Sequence, residues 1–121
     1  MYQADSAAVA ELLLNEGTIV SRRISDSGEP QLTFTTNRSF SERIGTWEEE
    51  SVRERFWDAR TMIDDGLAMV WTPYDLHVDG AFSHCGIDLF SLVDTSDGWK
   101  VATITYTVKE KPCDAPAMES E

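Results

Sequence analysis

Three tight-turn signals divide the second half of the chain into segments of strand length, and this division constrains the fold most. The turns are Asp64-Asp65-Gly66, Asp79-Gly80 and Ser96-Asp97-Gly98. The segments rich in β-branched and aromatic residues are Val52–Ile63, Leu67–Val78, Phe82–Val93 and Trp99–Lys109. Consecutive strands joined in this way predict an antiparallel meander. Leu67–Trp71 is apolar in every position, which predicts a central strand covered on both faces.

The first half of the chain predicts two short helices around a hairpin. Ser6–Asn15 has a capping serine and an apolar stripe at helical spacing. Thr18–Ser25 and Gln31–Thr36 read as strands joined by a turn at 26–30. A second helix is expected to begin at a capping box formed by Ser39 and Glu42. Its apolar face would carry Phe40, Ile44 and Trp47.

Length and charge narrow the function classes. The chain has 121 residues, which fits one domain, placed at 1–111, with an acidic, disordered tail at 112–121. Ten basic residues against 22 acidic ones give a net charge of −12. Such a surface repels phosphate backbones and anionic lipids, so we expect no nucleic-acid or membrane binding.

The two cysteines, Cys85 and Cys113, do not form a disulfide framework or a zinc-binding spacing. We expect free thiols, with Cys85 as a buried and inert one. The sequence shows no signal-peptide pattern and no apolar run of membrane-spanning length. A cytoplasmic protein is the expectation from these features.

Three segments in the second half of the chain carry a family resemblance: Leu67–Tyr74 (LAMVWTPY), Phe82–Asp88 (FSHCGID) and Gly98–Val101 (GWKV), the last followed by Ile104 and Tyr106. Together they resemble the SnoaL-like branch of the nuclear transport factor 2-like superfamily. The resemblance implies an α+β fold: a cone-like half-barrel of strongly curved antiparallel sheet, with short N-terminal helices over its concave face. It also implies an apolar cavity between helices and sheet, and dimers that pack through the outer face.

The turns predict which side chains share a face. A two-residue turn at Asp79-Gly80 pairs Val78 with Ala81 and, counting back, Asp75 with His84. The same count pairs Trp71 with Asp88. A bulged turn at Gly98 would pair Thr95 with Trp99.

That second turn also pairs Asp88 with Tyr106 and Phe90 with Ile104. Trp71, Asp88 and Tyr106 would then form one row, with Met69 beside it, on a face suited to a small-molecule pocket. Val101 and Ile104 are out of phase along their strand, which predicts a β-bulge near Ala102-Thr103.

Two acid–base arrangements follow from this register. Asp75 could orient His84 as a general base, or the two could be a structural cross-strand pair. Asp88 beside Trp71 and Tyr106 could have a raised pKa and act as acid or base. It could equally accept the phenol and indole hydrogen bonds of a buried network.

The sequence gives weaker support for a metal site and for a role of Trp57 in recognition. His77, His84, Asp75 and Asp88 could be read as metal ligands, but they span several cross-strand pairs, so we expect no metal and no cofactor. Trp57 is assigned to packing or to the lip of the pocket.

The sequence thus predicts a homodimeric domain that binds a small apolar or ring-containing molecule, with possible acid–base catalysis of the isomerase or dehydratase type. His84, Asp88, Tyr106 and Asp75 are the catalytic candidates. The ligand-binding candidates are Trp71, Trp57, Met69, Phe90 and Ile104. The alternative is a non-catalytic dimeric interaction module with a vestigial pocket, whose outer face carries Val70, Thr72, Ile87 and Leu89. Whether the protein is an enzyme is left open by the sequence.

Overall fold

One mixed sheet dominates the structure, a computed structural model that describes residues 2–3, 11–44, 52–111 and 113. The elements are β1 (Tyr2–Gln3), β2 (Leu13–Ile24), β3 (Pro30–Thr36), α1 (Asn37–Ile44), β4 (Val52–Phe56), β5 (Arg60–Asp64), β6 (Leu67–Val78), β7 (Ala81–Thr95) and β8 (Gly98–Val108). The eight described strands run in the order β1-β4-β6-β7-β8-β2-β3, and β5 pairs with β6 on the same side as β4.

The predicted α+β class is confirmed, but two details of the prediction are wrong. The sheet is mixed, because β2 runs parallel to β8, whereas the remaining strand pairs are antiparallel. Within the described residues α1 is the one complete helix, so the expected set of short N-terminal helices is not present. Leu13, predicted to be helical, pairs with Val101 and is buried, so sheet pairing overrides its helical spacing.

Residues 4–10 and 45–51 lie outside the described part, and with them most of the first predicted helix and Trp47. Of the residues that the structure describes, no helix has the length and apolarity needed to cross a membrane.

The helix α1 begins earlier than predicted. The hydroxyl of Thr36 accepts a hydrogen bond from the Ser39 backbone N–H at 3.0 Å, so Thr36 is the N-cap and the capping box at Ser39 is wrong. Asn37, the next residue, is fully buried. Its side-chain amide donates to the carbonyls of Leu14 at 2.8 Å and Val101 at 3.0 Å. The amide satisfies carbonyls where the regular pairing of β2 with β8 is interrupted.

The predicted strand Val52–Ile63 is two strands. Asp58 between them has a φ of 50°, a left-handed conformation that Asp tolerates better than most residues. Both strands pair with β6, β4 along Tyr74–Val78 and β5 along Leu67–Trp71. β6 is therefore an interior strand, as predicted, but Leu67 and Trp71 are exposed, so it is not covered on both faces.

The register of β6 and β7 departs from the prediction after two pairs. Val78 pairs with Ala81 and His77 with Phe82, as the turn predicts. The register then shifts, and Leu76 pairs with His84, which leaves Ser83 as the extra residue of a β-bulge. A one-residue shift moves every later side chain to the opposite face relative to its predicted partner.

The shift replaces the predicted pairs along the rest of these strands. Asp75 pairs with Cys85 instead of His84, Trp71 with Leu89, and Asp88 with Thr72. The predicted Asp75–His84 pair and the row containing Trp71 with Asp88 are therefore wrong.

The pairing of β7 with β8 agrees better with the prediction. Asp88 pairs with Tyr106 and Phe90 with Ile104, as expected. The register shifts between Leu92, which pairs with Val101, and Ser91, which pairs with Thr103, so the predicted bulge at Ala102 is confirmed. The predicted pair of Thr95 with Trp99 is wrong, because Thr95 pairs with Gly98.

The two faces of the sheet differ in burial. The inner face, defined by Tyr74, Asp88 and Tyr106, also carries the buried side chains of Ile19 and Ser21. The outer face, defined by Asp75, Cys85 and Trp71, carries most of the exposed large apolar side chains of the neighbouring strands. These include Leu32, Phe34, Met62 and Trp71.

The cysteines form a disulfide, which overturns the expectation of free thiols. Cys85, fully buried in the middle of β7, is bonded to Cys113, 28 residues further along the chain. The backbones of Cys85 and Lys109 also exchange two hydrogen bonds of 2.8 and 2.9 Å. The residues just after β8 are thereby fixed to the sheet, whereas residues 112 and 114–121 of the predicted tail lie outside the described part. Because disulfides persist in oxidising compartments, the cytoplasmic location stays an untested expectation.

We predict that Cys113→Ser lowers the free energy of unfolding by roughly 3 kcal/mol, because the bond closes a loop of this length in the unfolded chain. Denaturant melts with and without dithiothreitol measure this. Reductant should lower wild-type stability to that of the variant and leave the variant unchanged. Two titratable thiols in unreduced, denatured protein would contradict the disulfide.

Candidate functional site

Two carboxyl groups from different strands meet on the inner face. Asp88 lies in β7, opposite Thr72 and Tyr106, and is 5% exposed. Glu54 lies in β4, opposite Leu76, and is partly buried. Thr72, Tyr74 and Leu76 are every second residue of β6 and therefore point to one face. Glu54 lies opposite Leu76 and Asp88 lies opposite Thr72, so both carboxyl groups are on that face. Their side chains hydrogen-bond to each other.

Burial and mutual repulsion keep this pair from being fully ionised at neutral pH. Burial raises the pKa of Asp88 to about 9, and the charge of Glu54 and the hydrogen bond to it act in the same direction. Burial also raises the pKa of Glu54 to about 7, whereas the hydrogen bond from Asp88 acts against this rise. At pH 7 the pair therefore holds at least one proton between its two carboxyl groups.

Aromatic side chains surround the carboxyl pair. Tyr74 is 1% exposed, and its hydroxyl donates to the carbonyl of Thr107 at 2.6 Å. Its ring stacks edge-to-face with that of Tyr106, with centroids 6.2 Å apart. Burial chiefly, and then the charges of Asp88 and Glu54, raise the pKa of the Tyr74 phenol. The Tyr74 hydroxyl is committed to the backbone, so Tyr106 is the better placed phenol for a ligand.

Apolar rings extend the same face towards the β5 end of the sheet. Phe56 and Phe90 pack edge-to-face with centroids 6.4 Å apart, and Ile104 lies opposite Phe90 on β8. Gly86, between His84 and Asp88, has no side chain to fill the face. A Cβ there would collide with the backbone of Thr107, so this close approach of β8 requires glycine.

His84 shares the inner face but does not contact Asp75. It lies opposite Leu76, and its ring is 5.8 Å from that of Tyr74. The Ser83 hydroxyl is 3.0 Å from the Nδ1 of His84. Burial chiefly, and the charge of Arg23, lower the pKa of His84, so the imidazole is neutral at pH 7.

Three of the predicted site residues lie on the opposite, outer face. Met69 and Trp71 line an open groove of about 310 Å³ there, together with Arg60 and Met62. The third, Asp75, is buried and accepts hydrogen bonds from the Arg55 guanidinium at 2.9 and 2.5 Å. His84, Asp88, Tyr106, Phe90 and Ile104 are the predicted site residues that the inner face brings together.

The outer cluster consists of Arg55, Asp75 and His77, with an ion pair between Arg55 and Asp75. The Nδ1 of His77 is 3.7 Å from a carboxylate oxygen of Asp75. Since His77 and Asp75 lie on the face opposite His84 and Asp88, the four cannot converge on one ion. No group of three or more metal-binding side chains occurs in the described ranges.

Trp57 follows β4 at the break before β5. Its carbonyl accepts a hydrogen bond from the Thr72 hydroxyl at 3.3 Å. The Arg55 guanidinium lies 6.0 Å from the centre of its ring. The Arg55 contact places the ring of Trp57 beside the outer cluster, whereas Thr72 belongs to the inner face.

Sequence reasoning missed Glu54 and the inner position of Tyr74. A signal for Glu54 was available in the sequence. Val52, Glu54 and Phe56 are every second residue of a strand and share a face, so Glu54 places a carboxyl on an otherwise apolar face. For Tyr74 no signal was available, since its face depends on the bulge at Ser83.

The fold is that of the nuclear transport factor 2-like (NTF2-like) proteins, also described as cystatin-like, built as a cone-shaped sheet. This is the superfamily fold that the sequence resemblance predicts. No family model matches the sequence, and no curated protein matches it, so solved structures carry the comparison.

One similar structure is an NTF2-like protein with a cystatin-like fold from Novosphingobium aromaticivorans, with 13% identity, a TM-score of 0.62 and coverage of 86% of this chain and 69% of that one. A protein from Parabacteroides distasonis, named provisionally as a ketosteroid isomerase, has 13% identity, a TM-score of 0.62 and coverage of 88% and 76%. The yeast UBP3-associated protein BRE5 has 9% identity, a TM-score of 0.64 and coverage of 89% and 85%. At these identities the similar structures show the fold alone, so any argument about function must come from the residues of the site.

The carboxyl pair predicts a pH dependence of stability. Both groups have pKa values raised above those of the unfolded chain, so the folded state holds extra protons and stability falls as pH rises towards 9. We expect Asp88→Asn to reduce the loss of stability between pH 6 and pH 8 by roughly 1–2 kcal/mol. Urea melts across this range measure the effect. Asp94→Asn, an exposed site on the same strand, is the control and should leave the slope unchanged; equal slopes for all three proteins would contradict the shifted pKa values.

Proposed function

We propose that this protein binds a small, mostly apolar, ring-containing molecule against the inner face and transfers a proton within it without a cofactor. The Glu54–Asp88 pair is the observation that carries the proposal. Two carboxyls whose pKa values are both raised but differ from each other supply a base and an acid at one pH. Such pairs occur where proton transfer is needed, although structural networks also perturb pKa values.

The roles follow from the protonation states. Glu54, with a pKa of about 7, is ionised in part of the molecules at neutral pH and would remove a proton from a carbon next to a carbonyl. Asp88, with a pKa of about 9, keeps its proton and would turn its single O–H from Glu54 to the carbonyl oxygen as charge develops there. Returning the proton to another carbon completes an isomerisation, and loss of a leaving group completes a dehydration.

The surrounding side chains suit an apolar ligand with few polar groups. Phe56, Phe90 and Ile104 offer ring-sized apolar contact, and Tyr106 offers a second hydrogen-bond donor. His84 is neutral and would contact the ligand as a polar group, whereas the sequence had suggested it as the general base. The provisional isomerase name of the Parabacteroides distasonis protein agrees with this reaction class and adds analogy alone.

Exchange of carbon-bound protons with solvent tests the proposal without knowledge of the product. Ring-containing ketones are first screened by thermal shift, where a ligand at a hundred times its dissociation constant adds about 2.7 kcal/mol. Compounds that bind are then incubated with protein in D₂O and followed by proton NMR. We expect wild type to exchange the α-protons and Glu54→Gln to lose this activity by about 100-fold or more.

The rate should rise with pH through about 7, as Glu54 ionises, and fall towards 9, as Asp88 loses its proton. The matched control is Glu16→Gln, which removes an exposed carboxyl from β2 and should leave exchange unchanged. If wild type binds a compound but does not exchange its protons, the proton-transfer part of the proposal is wrong and only ligand binding remains. If no compound binds, the small-molecule proposal fails.

A second candidate, a dimeric interaction module, is favoured by the outer face. Trp71 is 46% exposed and Met62 is 69% exposed, and both border the open groove. Exposed apolar side chains in one place are typical of protein contacts. The residues of the predicted interface, Val70, Thr72, Ile87 and Leu89, do not all share the outer face. Val70 and Thr72 lie on the inner face, and Ile87 and Leu89 lie on the outer face.

We expect the wild type to be a homodimer and Leu89→Glu to be a monomer, because Leu89 lies opposite Trp71 and a carboxylate there would be buried without a partner. Sedimentation equilibrium measures the mass. The inner-face variant Phe90→Leu is the control and should remain dimeric. A monomeric wild type would contradict this interface.

A further inference from the structure

The inner face carries an arginine, Arg23, whose position suggests what kind of ligand the site selects. Arg23 lies in β2 opposite Val108, and two residues earlier Ser21 lies opposite Tyr106. Side chains two residues apart in a strand share a face, so Arg23 is on the same face as Tyr106 and the carboxyl pair. Its neighbour Arg22 points to the outer face and is exposed.

The charge of Arg23 affects the pKa values of two side chains in the site. It lowers the pKa of His84, after the larger effect of burial, and acts against the rise in the pKa of Tyr74. The guanidinium therefore lies within electrostatic range of two inner-face rings.

The ion pair that holds Arg23 is weak enough to be replaced. Its guanidinium is 3.6 Å from the carboxylate of Glu110, and the two side chains are 45% and 77% exposed. Exposed pairs of this length contribute about 0–1 kcal/mol. A ligand anion could therefore take the place of Glu110 at little cost.

The charge of the remaining protein makes this position selective. The chain has a net charge of −12, so an anion approaching it meets repulsion over most of the surface. On the inner face the Glu54–Asp88 pair holds a proton at neutral pH, because burial raises both pKa values, and this reduces repulsion inside the site. Arg23, at the end of the same face, supplies the positive charge that an anionic group requires.

We propose that Arg23 binds a carboxylate on the ligand, so that the preferred ligands are ring-containing organic acids that place their apolar body against the aromatic inner face. This inference rests on the proposed function, because it names the ligand class for the same site. A planar guanidinium suits a carboxylate better than a lysine ammonium does, since it can bind both oxygens.

Pairs of acids and their methyl esters test the inference, because they differ in charge and share the ring. Suitable probes are phenylacetate, cyclohexylacetate and 1-naphthylacetate with their esters, measured by calorimetry at pH 7. We expect wild type to bind each acid about tenfold more tightly than its ester, a preference that weakens with added salt.

Arg23→Gln should lose this preference and bind the esters as wild type does. Arg22→Gln removes the same charge from the neighbouring residue on the other face and should keep the preference. Glu110→Gln removes the competing carboxylate and should tighten acid binding about twofold to fivefold.

The outcomes separate this inference from the proposed function. Esters and acids that bind equally to wild type would overturn the role of Arg23 and leave an inner-face binding site standing. Equal losses in Arg23→Gln and Arg22→Gln would show a general charge effect, which also overturns it. If no acid and no ester binds, both proposals fail.

Discussion

The pairing of β6 with β7 is the constraint on which the rest of the structure depends. These strands form the longest ladder of the sheet, β4 and β5 attach to one side of it, and β8 attaches to the other. The single extra residue at Ser83 sets the register of that ladder, and register decides which side chains share a face. It brings Tyr74 to the same side as Asp88 and moves Asp75 to the opposite side.

The carboxyl pair on the inner face is costly for the fold. Burying two acids favours their protonated forms, so the protein gives up stability as the pH rises. An apolar pair at positions 54 and 88 would pack the same face without this loss. The Arg55–Asp75 ion pair on the outer face shows the usual solution, in which a buried carboxylate has a cationic partner. Glu54 and Asp88 have each other instead, and the proposed function rests on this difference.

Irregularities in the sheet are compensated locally by particular side chains. The bulge at Ala102 interrupts the regular pairing of β8 with β7, and the buried amide of Asn37 donates to the neighbouring carbonyl of Val101. Gly17 lies so close to Ala102 and Asn37 that a Cβ would collide with both. The disulfide of Cys85 similarly fixes the chain just after β8. Glu110, and with it the ion pair to Arg23, is held in this fixed segment.

The sequence by itself determined the strands β6, β7 and β8, the Asp79-Gly80 turn and the bulge at Ala102, because local patterns of turn residues and alternation encode them. It also paired Asp88 with Tyr106 correctly. The turn between β7 and β8 is one residue shorter than predicted, and the bulge at Ala102 adds one residue to β8, so the two changes cancel before Tyr106. Only the tertiary structure decided the bulge at Ser83, the parallel pairing of β2 with β8 and the meeting of Glu54 with Asp88. These depend on contacts between distant strands, and an error of one residue reverses a face. The pairing of Cys85 with Cys113 was likewise a matter of distance in space, which two isolated cysteines in a sequence do not encode.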